Sequence, residues 1–146
     1  MRKNKKRNHQ KHPVPNHKYK DRLFRLVFNN KRDLLDLYNA LNNTCYENPN
    51  DLEVNTLEDA VYLSMKNDIS FLIGGTLNLY EHQSTYNPNM PLRGLIYLAR
   101  LYDGYVETEN INLYSSTLKK LPIPQYFVFY NGTKAQPDET ILQLMD

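Results

Sequence analysis

The chain has 146 residues, enough for one hydrophobic core and too few for two comfortable ones. Its net charge of +2 conceals a division: the first twenty residues carry eight Lys or Arg and no acid, while the remainder carries ten basic and sixteen acidic residues. A single cysteine, Cys45, excludes an internal disulfide and a cysteine-built metal centre, and no apolar run approaches the roughly 18 residues of a membrane span. The basic start leads into no apolar stretch of a secretory signal, so the expectation is a cytoplasmic protein with no membrane partner.

Residues 1–18 are polar, basic and interrupted by Pro13 and Pro15, which predicts a disordered tail. Two readings fit it: an arm drawn to a polyanion by counterion release, or a solvated extension with no specific partner. Asp21 suits the N-cap of a helix bearing Leu23, Phe24, Val27 and Phe28, broken at Asn29 and Asn30. Asp33 suits the cap of a second helix with Leu34, Leu37, Tyr38 and Leu41 on one side, ended by Asn42 and Asn43. A polar loop through Pro49 leads to a short strand over residues 53–57.

Residues 68–73 and 76–83 read as two strands joined by the two-residue turn Gly74-Gly75. From Pro91 to about Val106 the pattern is helical, with the proline in the first turn and Leu92, Leu95, Ile96, Ala99 and Tyr102 as the apolar stripe. After Pro122 and Pro124, Tyr126-Phe-Val-Phe-Tyr130 reads as a short buried strand ended by an Asn131-Gly132 turn. Helix, strands, helix, strand is the order of a mixed α/β fold.

A two-residue loop at positions 74 and 75 pairs residues whose numbers sum to 149, so Asp68 faces Glu81 and Lys66 faces Gln83. Directly opposed residues share a sheet face, as do residues two apart. Lys66, Asp68, Glu81 and Gln83 then form a polar quartet above Leu72, Leu77 and Leu79. Two carboxylates across a ladder lie roughly 5 Å apart at Cβ and repel each other. A divalent cation such as Mg²⁺, which takes hard oxygen ligands, would offset the repulsion, and the backbone carbonyl of His82 is a third donor. The competing reading pairs Lys66 with one acid and makes the quartet a solvated strand end.

An acidic residue, a hairpin and then Glu-X-Gln form the pattern of the PD-(D/E)XK nuclease superfamily. Met65-Lys-Asn-Asp68, Leu79-Tyr-Glu-His-Gln-Ser84, Asn87-Pro-Asn-Met-Pro-Leu-Arg93 and Tyr126-Phe-Val-Phe-Tyr-Asn-Gly132 together resemble the Rpn family of recombination-promoting nucleases, the YhgA-like transposases. The resemblance runs from about Tyr19 to the C-terminus, which makes residues 19–146 one nuclease-like domain behind the tail of residues 1–18. It implies a restriction-endonuclease-like core, a mixed sheet with flanking helices, and DNA hydrolysis that uses Mg²⁺ or Mn²⁺ and no organic cofactor. Asp68 and Glu81 would hold the metal, and Gln83 would stand where the family usually has lysine. Glutamine donates only a neutral hydrogen bond, and Lys66 is the substitute cation that the hairpin register offers. Family members usually continue well past the Tyr-Asn-Gly strand, so the end at Asp146 reads as a truncated copy.

Arg93, Tyr97 and Arg100 follow one another at helical spacing, and Arg93 and Tyr97 are the candidates to face the scissile phosphate; a surface arginine beside a packed tyrosine is the structural alternative. His82 points to the face opposite Glu81 and reads as packed rather than as a base. The functional expectation is a DNA endonuclease of a mobile-element-associated family. Its rival is an inactive remnant that keeps the fold as a DNA-binding or protein-interaction domain, and a third reading is a small α/β protein with structural acids.

Overall fold

The computed structural model describes residues 30–54 and 69–145. The expected tail, the helix after Asp21, the strand residues 55–57, and both Lys66 and Asp68 lie outside the described residues. Among the described residues the chain is a mixed α/β protein, with a mixed four-stranded sheet and one helix against each face.

Helix α1 (Lys31–Asn42) buries Leu34, Leu35 and Tyr38. Its cap is Asn30, whose side chain accepts the Arg32 amide at 2.8 Å, and not the expected Asp33, which sits in the first turn. Either acidic or amide oxygen can serve there; the helix starts earlier because Asn30 already satisfies an orphan amide, and Asp33 still complements the helix dipole. The expected stop is observed, with Asn43 left-handed at φ 55°. Its loop is tied down by Asn39, which exchanges hydrogen bonds with the Tyr46 backbone. A 3₁₀ turn (Pro49–Asp51) leads into β1 (Glu53–Val54).

Strands β2 (Ile69–Ile73) and β3 (Thr76–Gln83) form the expected hairpin. Gly74 and Gly75 have φ of 56° and 78°, the two left-handed residues of a type I′ turn. Their turn fixes the register, and the ladder from Ile73↔Thr76 to Ile69↔Tyr80 follows the sum of 149 throughout. A side chain on Gly74 would also strike the Tyr46 hydroxyl, so the α1 loop closes over the turn.

Helix α2 (Met90–Thr108) crosses back and delivers β4 (Ile123–Tyr130) parallel to β3. A parallel partner needs such a crossover. The Tyr102 hydroxyl donates to the Pro122 carbonyl at 2.6 Å and ties the helix to the start of β4. Three sequence expectations change here. The inward stripe of α2 is Met90, Gly94, Tyr97 and Leu101, whereas Leu92, Leu95, Ile96 and Ala99 are exposed. Both sides of this helix are rich in apolar residues, so periodicity alone did not select the face; the close fit of Gly94 against the Tyr126 ring does. Strand β4 starts three residues earlier than expected and is half-buried, because it is an edge strand among the described residues. That position tolerates Pro124. No turn follows at Asn131-Gly132: the Asn131 amide continues the ladder to the Gln83 carbonyl at 3.0 Å.

The two sheet faces carry different layers. Phe71, Ile73 and Tyr80 pack on α1 with Leu52, supported by Phe127 and Phe129. Tyr80 is the hub, with Phe71, Phe127 and Phe129 edge-on at 5.0 to 5.6 Å, and burial raises its phenol pKa. Leu77 and Leu79 pack on α2 through Tyr97 and Leu101, with Tyr126 beside them. The polar end of the α2 layer is the candidate site.

Candidate functional site

Strand alternation puts Glu81 and Gln83 on the face of Leu77 and Leu79, toward α2. Ser70, opposite Leu79, shares that face and is buried. Glu81 itself is 1 % exposed, an unusual location for a carboxylate, which is almost never buried unless paired. Gln83 Nε2 donates to its Oε1 at 2.5 Å, and the Tyr126 hydroxyl donates to its Oε2 at 2.5 Å. Arg93 Nη2 lies 2.7 Å from Oε1. A carboxylate offers about four lone-pair positions, so these three donors leave room for one further ligand.

Each donor comes from a different position in the fold. Gln83 lies two residues beyond Glu81 along β3, which makes the pair a consequence of strand period. Tyr126 is in β4, opposite Leu79. It reaches Glu81 because α2 carries glycine at position 94: a Cβ there would strike the Tyr126 ring. Arg93 is the neighbouring helix residue. Its Nε donates to the Tyr97 hydroxyl at 2.9 Å, and its guanidinium lies 5.2 Å from the Tyr97 ring centre. Tyr97 is buried while the Arg93 side chain is 36 % exposed, so the cation is anchored on a buried ring and only partly removed from solvent.

Glu81, Gln83, Arg93 and Tyr97, named from the sequence, therefore meet at one point. Arg93 and Tyr97 were expected to face a phosphate; in this structure the guanidinium is turned to Glu81. His82 is buried on the opposite face, as expected of a packed residue. The β4-facing carbonyls of Gly75 and Gln83 accept from Ile123 and Asn131, and alternation directs the His82 carbonyl toward the β2 side. Arg100 is exposed. Tyr126 and Gly94 escaped the sequence reading. The period-2 pattern of Tyr126, Val128 and Tyr130 groups them on one face but does not say which strand they flank.

The donor set suits a hard divalent cation in kind: a buried carboxylate with one position left and a backbone carbonyl nearby. The 2.7 Å guanidinium contact shows that the surroundings of Glu81 accept positive charge. Among the described residues no three His, Cys, Asp or Glu side chains cluster, and the second expected carboxylate, Asp68, lies outside them. No protein-family model matches the chain, and neither the curated proteins nor the solved structures that were searched contain a match.

Proposed function

We propose that the chain is a metal-dependent DNA endonuclease with a restriction-endonuclease-like core, akin to the Rpn recombination-promoting nucleases. Asp68 and Glu81, with the His82 carbonyl, would hold Mg²⁺ or Mn²⁺. The observation that carries this reading is Glu81, a carboxylate buried at the carboxyl end of a central strand and ringed by an amide, a phenol and a guanidinium. The described hairpin register agrees with the count behind the expected pairing of Asp68 with Glu81 as far as Ile69↔Tyr80, where the described ladder ends.

When bound, the cation would polarise a phosphoryl oxygen and lower the pKa of a water molecule. The chain's own groups have separable tasks. Gln83 and Tyr126 hold the two oxygens of Glu81 in a fixed orientation. Tyr97 anchors Arg93 at Nε, and the planar guanidinium is matched to a phosphate and can exchange its bond to Glu81 for one to DNA. Lys66 is the further cation expected from the sequence, and it lies outside the described residues. In the net reaction the water oxygen bonds to phosphorus, the bond from phosphorus to one bridging oxygen breaks, and that oxygen leaves with a proton.

The Arg93–Glu81 contact also favours a second reading, an inactive remnant that binds DNA or protein. There the ion pair replaces the metal, and Glu81 is satisfied by protein donors. A plasmid-nicking assay with Mg²⁺ or Mn²⁺ separates the two. Wild type should open supercoiled DNA, and Glu81→Ala should do so at least about 10²-fold more slowly. A wild type that nicks with neither ion establishes the remnant, and equal rates in the two proteins remove Glu81 from the chemistry.

A further inference from the structure

A cleft of about 870 Å³ opens at the carboxyl ends of β3 and β4, walled on its far side by residues 132–142. Its size lies within the range of about 300–1,000 Å³ typical of small-ligand sites. In open α/β sheets the crevice beyond the carboxyl ends of the strands is the usual place for a ligand. Two of its lining residues, Gln83 and Tyr126, are the ones that bond to Glu81, so the cleft and the candidate metal site share a wall.

The lining is aromatic and polar in a particular arrangement. Tyr86, on the loop after β3, lines the cleft and is 42 % exposed, so part of its side chain is accessible to a ligand. Tyr130, also in the lining, is fixed by its hydroxyl, which donates to the Lys134 carbonyl at 3.0 Å. Gly132 permits this closeness, since a Cβ there would strike both the Tyr130 hydroxyl and the Ser84 carbonyl. Lys134, Asp138 and Glu139 are among the charged residues that line the cleft. Aromatic faces stack on any base, and carboxylates accept the exocyclic amine of cytosine. A duplex cannot enter a cleft of this size, whereas one base swung out of the stack can.

We propose that this cleft receives a single unpaired nucleotide of the DNA strand, with an amine-bearing base, cytosine above all, stacked on Tyr86. That DNA is the ligand rests on the proposed function; cleavage after binding rests further on the metal site, through the phosphate next to the seated base, which would lie beside Gln83 and Glu81. DNA with a bulged nucleotide is therefore the preferred substrate over a perfect duplex.

The test measures fluorescence anisotropy of labelled DNA with the full chain in EDTA, so that binding is read without cleavage. Three duplexes of equal length are compared: fully paired, with a bulged cytosine, and with a bulged abasic site. Wild type should bind the cytosine bulge about tenfold more tightly than either other duplex, as expected for one stacked base. Tyr86→Ala should remove that difference and Tyr86→Phe should keep it. Equal affinity for the cytosine and abasic bulges, or a preference that survives Tyr86→Ala, overturns the proposal. Parallel nicking assays with Mg²⁺ and Mn²⁺ keep the two readings apart. Cleavage without bulge preference sinks the cleft alone; bulge preference without cleavage sinks the nuclease reading alone.

Discussion

Glu81 is the residue on which the site turns. A buried carboxylate deprived of its counter-charge costs several kcal/mol, although the half-open Arg93 side chain lets water screen part of that loss. Arg93→Met should therefore lower the urea stability in EDTA by about 2 kcal/mol. Added Mg²⁺ should return part of it, and should stabilise the variant more than it stabilises wild type, because the ion no longer competes with the guanidinium. Equal stabilisation of the two proteins by Mg²⁺ would mean that the ion and Arg93 do not share Glu81. The Glu81-Gln83 spacing was legible in the sequence because strand period acts over two residues. Tyr126 was not legible: it lies 45 residues away, and the register of a parallel crossover is set by how α2 docks rather than by any local pattern.

Helix α2 transmits the fold to the site through one small residue. Alanine is favoured over glycine in a helix by about 1 kcal/mol, so Gly→Ala at an unobstructed position stabilises. Gly104 is such a position, with nothing near the added carbon. Gly94 is the opposite case, because the methyl would enter the Tyr126 ring. Gly104→Ala should raise the melting temperature, while Gly94→Ala should lower it by the equivalent of about 1–3 kcal/mol of overpacking. Thermal denaturation of the two variants checks this, and a stable Gly94→Ala would show that Tyr126 does not lie against the helix. The same glycine explains why the sequence misjudged the inward face of α2. An apolar stripe of Leu92, Leu95 and Ile96 has more hydrophobic weight, but only the side bearing Gly94 lets the helix approach β4. The hairpin, in contrast, was readable from Ile73↔Thr76 to Ile69↔Tyr80, since the two glycines form the two-residue turn that the count assumed, with no longer loop or bulge to shift it.

At the scale of the whole molecule, charge is divided between a basic N-terminal segment and an acidic remainder. Deleting residues 2–18 removes seven Lys or Arg. If that segment touches DNA, each lost phosphate contact should flatten the log–log salt dependence of binding by roughly 0.9. An unchanged slope would make it a solvated extension. The class of the fold was legible from the order of its elements, but the placing of β4 beside β3 was not, because pairing after a crossover depends on tertiary packing. The central claim, that Asp68 and Glu81 share a divalent ion, is tested most directly by titrating the protein with Mn²⁺ and following the free ion by electron paramagnetic resonance. Wild type should retain a single Mn²⁺, with affinity reduced at least about tenfold in both Asp68→Ala and Glu81→Ala. A wild type that retains no Mn²⁺, or a variant of either acid that binds it as well as wild type does, would contradict the account.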